Sequence, residues 1–272
     1  MPILHAIVLG ITQGLSEFLP ISSSGHLIVV PWLFGWDDFN GDTGLAKTFD
    51  VALHLGTLVG AAAYFRHEIM RYLRAAFLPS GRGTRDRRIA ALIAIATIPA
   101  AVTGGLFADW IEEHTGQIPL IATMLIVFGV LLWWADRRPG TRSLDEVELR
   151  DALWMGGGQA LALQPGVSRS GVSMTFGRMT GLGRDGAARF AFLMSLPITA
   201  GALVFKAVDV QSEGGIPDGF EAAFVWGIIA SGITGWLAVW GTLWLVKNHS
   251  FLPFVIYRIG LGVTLLVVYA IR

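Results

Sequence analysis

The sequence predicts an all-α integral membrane protein folded as an inverted-topology repeat, each half a re-entrant helical hairpin plus three transmembrane helices. Three observations carry this expectation. Of 272 residues, 53% are hydrophobic and only 15% charged, where a soluble domain has about 25%. Two short polar segments, Gln13–His26 and Gln159–Ser173, interrupt apolar stretches at corresponding places in the two halves. The connecting segments also differ in charge in a way that assigns them to opposite sides of a bilayer.

Taken in order, residues 2–35 are apolar but broken by Pro20 and the Ser22-Ser23-Ser24-Gly25 turn, which reads as a hairpin that enters the membrane and returns. Spans follow at about 48–65, 89–108 and 118–135, each long enough at roughly 17–25 residues to cross. A second broken hairpin covers 152–184, and spans at about 187–206, 222–246 and 251–271 complete the chain. The loop Arg66–Arg88 holds seven arginines against Glu68 and Asp86 and belongs in the cytoplasm. Arg137, Arg138, Arg142 and Arg150 place Asp136–Asp151 there too, whereas the acidic segments Asp109–Gln117 and Asp209–Asp218, around Glu112 and Glu213, belong outside.

Threading the spans through these loops makes the first hairpin enter from the outer face and the second from the cytoplasm. Three spans per half invert the second copy. The chain thus reads as a single membrane domain over 1–272, with repeat 1 at about 1–140 and repeat 2 at about 150–272. Laying residues 10–25 on 156–171 pairs Gly10 with Gly156, Gln13 with Gln159, Ser22 with Ser168, Ser24 with Ser170 and Gly25 with Gly171. Laying 49–61 on 190–202 pairs Phe49 with Phe190, Leu55 with Leu196 and Gly60 with Gly201. Arg258, inside the last span, reads as a side chain that snorkels to the cytoplasmic interface or forms a structural ion pair.

Composition excludes several functions. Zero net charge gives no reason to expect nucleic acid as a partner, and the absence of cysteine removes disulfides and thiol chemistry. The N-terminus Met1-Pro-Ile-Leu-His5 lacks the basic start of a signal peptide, so no cleavage is expected. Membrane lipid is a partner by necessity, and a homo-oligomer is left open.

The polar breaks are where chemistry is expected, because charge and irregular backbone at membrane depth persist mainly around protein-covered or water-filled sites. Gln13 and Glu17 lie one helical turn apart on one face. Beyond Pro20, the Ser22-Ser23-Ser24-Gly25 turn offers hydroxyls and successive N–H groups to an anion, with His26 beside it. On the second hairpin, Gly166 and Gly171 permit a tight turn presenting Ser168, Arg169 and Ser170, with Ser173 following. Arg169 is the fork-shaped cation suited to phosphate oxygens. Taken singly, each residue has a plain alternative: a packing serine, a core histidine, an ion pair between hairpins. Together they exceed what one structural ion pair requires. One carboxylate, one arginine and one histidine cannot neutralise a diphosphate of roughly −2 to −3, so a divalent cation bridging Glu17, and by extension Gln13, to phosphate is expected. Serine hydroxyls near a histidine can be a nucleophile with its base or plain anion ligands.

At these residues the chain closely resembles the bacterial undecaprenyl-diphosphate phosphatases, the bacitracin-resistance family, over essentially its whole length. The resemblance rests on Gln13-Gly-Leu-Ser-Glu17 followed by Phe-Leu-Pro-Ile-Ser-Ser-Ser-Gly-His26, and on Pro165-Gly-Val-Ser-Arg169-Ser-Gly171. It implies an inner-membrane, multi-pass enzyme that removes the terminal phosphate from a polyprenyl diphosphate lipid. Its site opens toward the periplasm and it uses a divalent metal, Mg2+ or Ca2+. It recycles the lipid carrier for peptidoglycan and other cell-wall polymers and confers bacitracin resistance. The family motif implies Glu17 and the Gln13 position as acidic-motif and metal residues, Ser23 and His26 as the catalytic pair, and Arg169 as the phosphate-binding arginine. Many relatives carry Glu where this chain has Gln13, which removes an anionic ligand. Ser24 and Ser173 stand where relatives often have Thr and keep the hydroxyl.

On this reading Ser23 attacks phosphorus with His26 as its base; in a direct-water variant His26 or Glu17 activates water and Ser23 only binds phosphate. The rival class is a polyprenyl-phosphate transporter or flippase, since inverted repeats with broken helices meeting at midplane also build secondary transporters. The grouping of Ser23, His26, Glu17 and Arg169 favours bond cleavage.

Overall fold

The computed structural model describes residues 1–77, 84–212 and 218–272, without the side chains of Thr84, Ala108, Asp109, Glu112, Glu113, Lys206 and residues 208–212. Arg82 and Glu213, and the side chain of Glu112, therefore lie outside the described residues. Helices dominate, and no strand occurs among the described residues.

The first hairpin is α1 (Ile3–Phe18) and α2 (Ser23–Phe34). Helix α1 stops where Pro20 forces its predecessor out of helical conformation, and Leu19 is accordingly extended at φ −66°, ψ 139°. Helix α3 (Thr43–Tyr64) crosses, capped at its start by the Asp42 carboxylate on the Leu45 N–H, and bends by 81° into α4 (Arg66–Phe77). The arginine-rich loop is thus partly helical: Tyr72 is buried, Ile69 packs on the core and Arg71 and Arg74 face out, so α4 is the amphipathic kind that lies along an interface. Helix α5 (Thr84–Thr115) and α6 (Ile118–Asp136) complete the first half. Helix α5 continues past its apolar stretch to Thr115, since hydropathy marks the edge of the membrane and not the end of a helix.

A loop with one 3-10 turn at Leu144–Glu146 leads to the second hairpin, α7 (Leu149–Leu161) and α8 (Arg169–Met179). Then come α9 (Arg184–Ser212), α10 (Glu221–Asn248) and α11 (Leu252–Ile271). Among the described residues five helices are long and apolar enough to cross a membrane, and counting the bent α3–α4 pair as one span gives six. The chain is a multi-pass membrane protein.

The halves interleave in an inverted manner. Helix α1 packs on α10, and α7 packs on α5, so each hairpin rests on a span from the other half. The same repeat position makes both contacts close: a Cβ on Gly10 would lie 2.5 Å from the Gly227 carbonyl oxygen, and one on Gly156 would lie 2.5 Å from the Ala96 carbonyl oxygen. Such small-residue approaches are how helices associate where lipid offers no hydrophobic drive. The pairs α3–α9 and α6–α11 meet across the centre. A core of Phe18, Phe65, Phe190, Phe192 and Phe251 fills the middle, with Phe18 set edge-on against Phe192 at 5.4 Å.

Candidate active site

The two hairpin tips meet and are built alike. Ser22 and Ser168 both adopt positive φ, 80° and 73°, a conformation unfavourable for a residue with a Cβ. Each is held there as the cap of the next helix: the Ser22 hydroxyl accepts the Gly25 N–H at 3.4 Å, and the Ser168 hydroxyl accepts the Gly171 N–H at 3.1 Å. Ser22 also accepts the Gly166 N–H of the opposite tip at 3.0 Å, while the Ser170 hydroxyl donates to the Leu19 carbonyl at 3.1 Å. The tips are thus sewn together in both directions. Glycine suits the contact, since a Cβ on Gly25 would press on the Ser22 Oγ and Ile121, and one on Gly171 would displace the Arg258 guanidinium, 2.8 Å away. The starts of α2 and α8 converge here, and the first N–H groups of a helix have no partner within it, so two positive helix ends face one small volume.

Glu17 ends α1 inside this junction, 7% exposed. Its Oε2 accepts the Ser23 hydroxyl at 2.6 Å and the Gln13 Nε2 at 3.2 Å, and lies 3.6 Å from the Nε2 of His54. Its Oε1 is 4.0 Å from the guanidinium of Arg169, which is oriented by a 2.7 Å hydrogen bond to Thr199 of α9. Gln13, Glu17, Ser23 and Arg169 are therefore brought together as expected, with His54 and Thr199 added.

His26 differs from the expectation. Its Nδ1 lies 2.7 Å from the Ser22 carbonyl oxygen and its Nε2 lies 2.7 Å from the Tyr257 hydroxyl. A carbonyl only accepts, so Nδ1 carries the proton and Nε2 accepts from Tyr257. In this structure Ser23 is hydrogen-bonded to Glu17 and not to His26. Ser24 is partly exposed, Ser173 is buried with its hydroxyl unpaired, and Ser22, Ser168, Ser170, Gly25 and Gly171 act on the turns.

Arg258 overturns the snorkelling expectation. It is fully buried and touches no carboxylate among the described residues. Its Nε donates to the Leu125 carbonyl at 3.2 Å and one terminal nitrogen to Pro20 at 3.1 Å. The other donates to Gly166 and Val167, both at 2.9 Å, and more distantly to Met124. One guanidinium therefore clamps both tips to α6.

No group of three or more His, Cys, Asp or Glu suited to a metal occurs among the described residues. The oxygens fit a hard cation all the same: the Gln13 Oε1 is buried without a partner next to the Glu17 carboxylate. Such a cation completes its shell with water and substrate phosphate, as Mg2+ commonly does.

The family described as Bacitracin resistance protein BacA matches residues 6–264. This chain belongs to that family. Among its BacA-family relatives, an undecaprenyl-diphosphatase of Pelotomaculum thermopropionicum is 44% identical over 273 residues, covering 100% of this chain and 98% of the relative. One of Geobacter sulfurreducens is 47% identical, covering 96% of each chain. Undecaprenyl-diphosphatase 2 of Stutzerimonas stutzeri is 45% identical, covering 99% of each. Beyond the two motifs that reveal the BacA family in the sequence, His54, Thr199 and Tyr257 join the site from elsewhere in the chain. The signal for His54 was an ionisable residue inside an apolar span, which is a functional flag by default.

Proposed function

We propose that this BacA-family protein hydrolyses the terminal phosphoanhydride bond of undecaprenyl diphosphate, giving undecaprenyl phosphate and inorganic phosphate. The observation that carries this reading is the Ser23 hydroxyl donating to the Glu17 carboxylate at 2.6 Å, beside Arg169 and two converging helix starts. The designation shared by full-length relatives supports the substrate.

Ser23 Oγ attacks the terminal phosphorus as its proton passes to Glu17. The bridging P–O bond breaks, and undecaprenyl phosphate departs. Glu17 gives that proton to the departing phosphate, and the regenerated carboxylate deprotonates a water that attacks the phosphoserine; Glu17 then returns the proton to Ser23 Oγ as phosphate leaves. Arg169 and the N–H groups at the starts of α2 and α8 stabilise the charge on the equatorial oxygens. Glu17 and Gln13 would hold a divalent cation, Mg2+ or Ca2+, which when bound adds positive charge against the phosphate oxygens. His26 holds the Ser22 turn through its carbonyl.

The whole chain works as one membrane domain, since each hairpin depends on the other half. It lies in the bacterial inner membrane with the site toward the periplasm, where the freed carrier re-enters synthesis of cell-wall polymers and blunts bacitracin. Cysteines at Thr43 and Arg74, both exposed, test the orientation: an impermeant thiol reagent on intact cells should label only position 43. Phosphate release by purified protein in detergent tests the chemistry. A transporter releases none, and isolation of phosphoserine at Ser23 separates covalent from direct-water attack.

A further inference from the structure

Far from the catalytic tips, a cavity of about 660 Å³ lies where α6 and α10 end and α9 begins. Six cations line it, Arg137, Arg138, Arg142, Arg178, Arg184 and Lys247, against only Asp136 and Asp185. Both acids are already engaged: Asp136 takes two hydrogen bonds from Arg184, at 2.6 and 3.2 Å, and Asp185 pairs with Arg189 at 3.0 Å. Arg142 is satisfied by Asp151 at 2.6 Å.

Arg178 is 4% exposed, with its terminal nitrogens on backbone carbonyls and its Nε 3.7 Å from the Asp136 carboxylate, so it too is engaged. Three lining cations keep capacity to spare. Arg137, Arg138 and Lys247 have no carboxylate partner among the described residues. The Gly183–Gly186 segment that opens α9 also lines the cavity, bringing the positive end of that helix to it.

The depth of the cavity identifies the anion. Arg137 stacks on Trp133 at 3.8 Å and Arg138 on Trp134 at 4.0 Å, while Trp244 lies exposed one turn before Lys247. Tryptophans collect at the headgroup level of a bilayer, so the cavity opens where phosphodiesters are concentrated and soluble ions must compete with them. Basic pockets between transmembrane helices are suited to anionic headgroups. We propose that this cavity binds the phosphodiester headgroup of an anionic glycerophospholipid, as a site separate from the catalytic junction.

The test uses the full chain in uncharged detergent, titrated with phosphatidylglycerol or phosphatidylcholine and read by native mass spectrometry. Phosphatidylglycerol should bind preferentially. The triple variant Arg137→Gln/Arg138→Gln/Lys247→Gln should bind it on the order of 100-fold more weakly, at about fivefold per charge removed. Arg137→Lys/Arg138→Lys, which keeps the charge, should bind like the parent. Lys247→Glu, at an exposed helix end, gives the same direction of change if the triple variant does not fold. Equal binding of the two lipids, undiminished binding by the charge-removing variants, or displacement of phosphatidylglycerol by equimolar inorganic phosphate overturns the proposal. Phosphate release from undecaprenyl diphosphate in lipid-free detergent should be unchanged in these variants, so failure of the catalytic reading registers separately.

Discussion

Replacing Arg258 probes the junction most directly, because one side chain holds both tips. The carbonyls of Pro20, Gly166 and Val167 lie outside the helices, and no other donor among the described residues reaches them. A buried polar group left unpaired costs about 1–3 kcal/mol, so Arg258→Met, which strands three, should destabilise the fold by about 3–9 kcal/mol. That is a large share of a typical net stability of about 5–15 kcal/mol. Arg258→Lys keeps the charge, but its donors radiate from one nitrogen and cannot span Pro20 on one hairpin and Leu125 on α6 as the guanidinium does. With about two carbonyls stranded, it should lose about 2–6 kcal/mol. Activity should fall further, since a displacement of about 1 Å at a reacting centre can cost roughly 10²-fold. The assays are thermal unfolding in detergent and phosphate release from undecaprenyl diphosphate. An Arg258→Lys protein with unchanged melting and more than half the parental turnover would refute the clamp.

Four further outcomes follow from the same geometry. Glu17→Gln and Ser23→Ala should each lower turnover by about 10³–10⁴ or more, and the double variant should be no worse than either, because the pair acts as a unit; Gln13→Ala should be milder. Tyr257→Phe removes the donor to His26 Nε2 and should lower turnover about five- to tenfold, the scale of one neutral hydrogen bond, whereas no change would make that contact incidental. Chelation should abolish turnover and added Mg2+ or Ca2+ restore it; activity that persists in excess chelator removes the metal from Glu17 and Gln13. Glu146, exposed in the 137–148 loop, is held below the ordinary carboxylate range by the Ser143 N–H and hydroxyl. A depressed folded value supports the turn at neutral pH and loses that support as pH falls through it, so Glu146→Gln should show at pH 7 the reduced amide-exchange protection over 143–147, relative to intrinsic rates, that the parent shows only in acid.

Much of this architecture is legible in the residues themselves. Hydropathy finds all six spans because a bilayer imposes one length and one polarity on whatever crosses it. The paired breaks at Pro20 and Pro165 locate both tips, because backbone at that depth cannot stay irregular without a purpose. Glu17, Ser23 and Arg169 stand out for the same reason. The partners of each side chain are not legible, since they depend on rotation about helix axes. Residue spacing places His26 beside Ser23, yet α2 turns its imidazole toward α11 and Tyr257. His54 and Thr199 arrive from α3 and α9, which pack on each other only after both halves have assembled. Arg258 looked able to reach water, but α6 and the two tips enclose it.

The interleaving of the halves also governs how the protein can be made. Gly10 and Gly14 of the first hairpin press on Gly227 and Ser231, which leave the ribosome roughly two hundred residues later. At about 5–20 residues per second, that hairpin waits on the order of 10–40 s beside the translocon without its final neighbour. During that interval Gln13, Glu17 and Ser22 lack their cover and must be shielded by the insertion machinery or held near the aqueous edge. Biogenesis therefore ends late, when α10 docks on α1 and α11 brings Arg258 to both tips. Chains truncated before α10 should accordingly be degraded as unassembled membrane segments, however complete their first three spans.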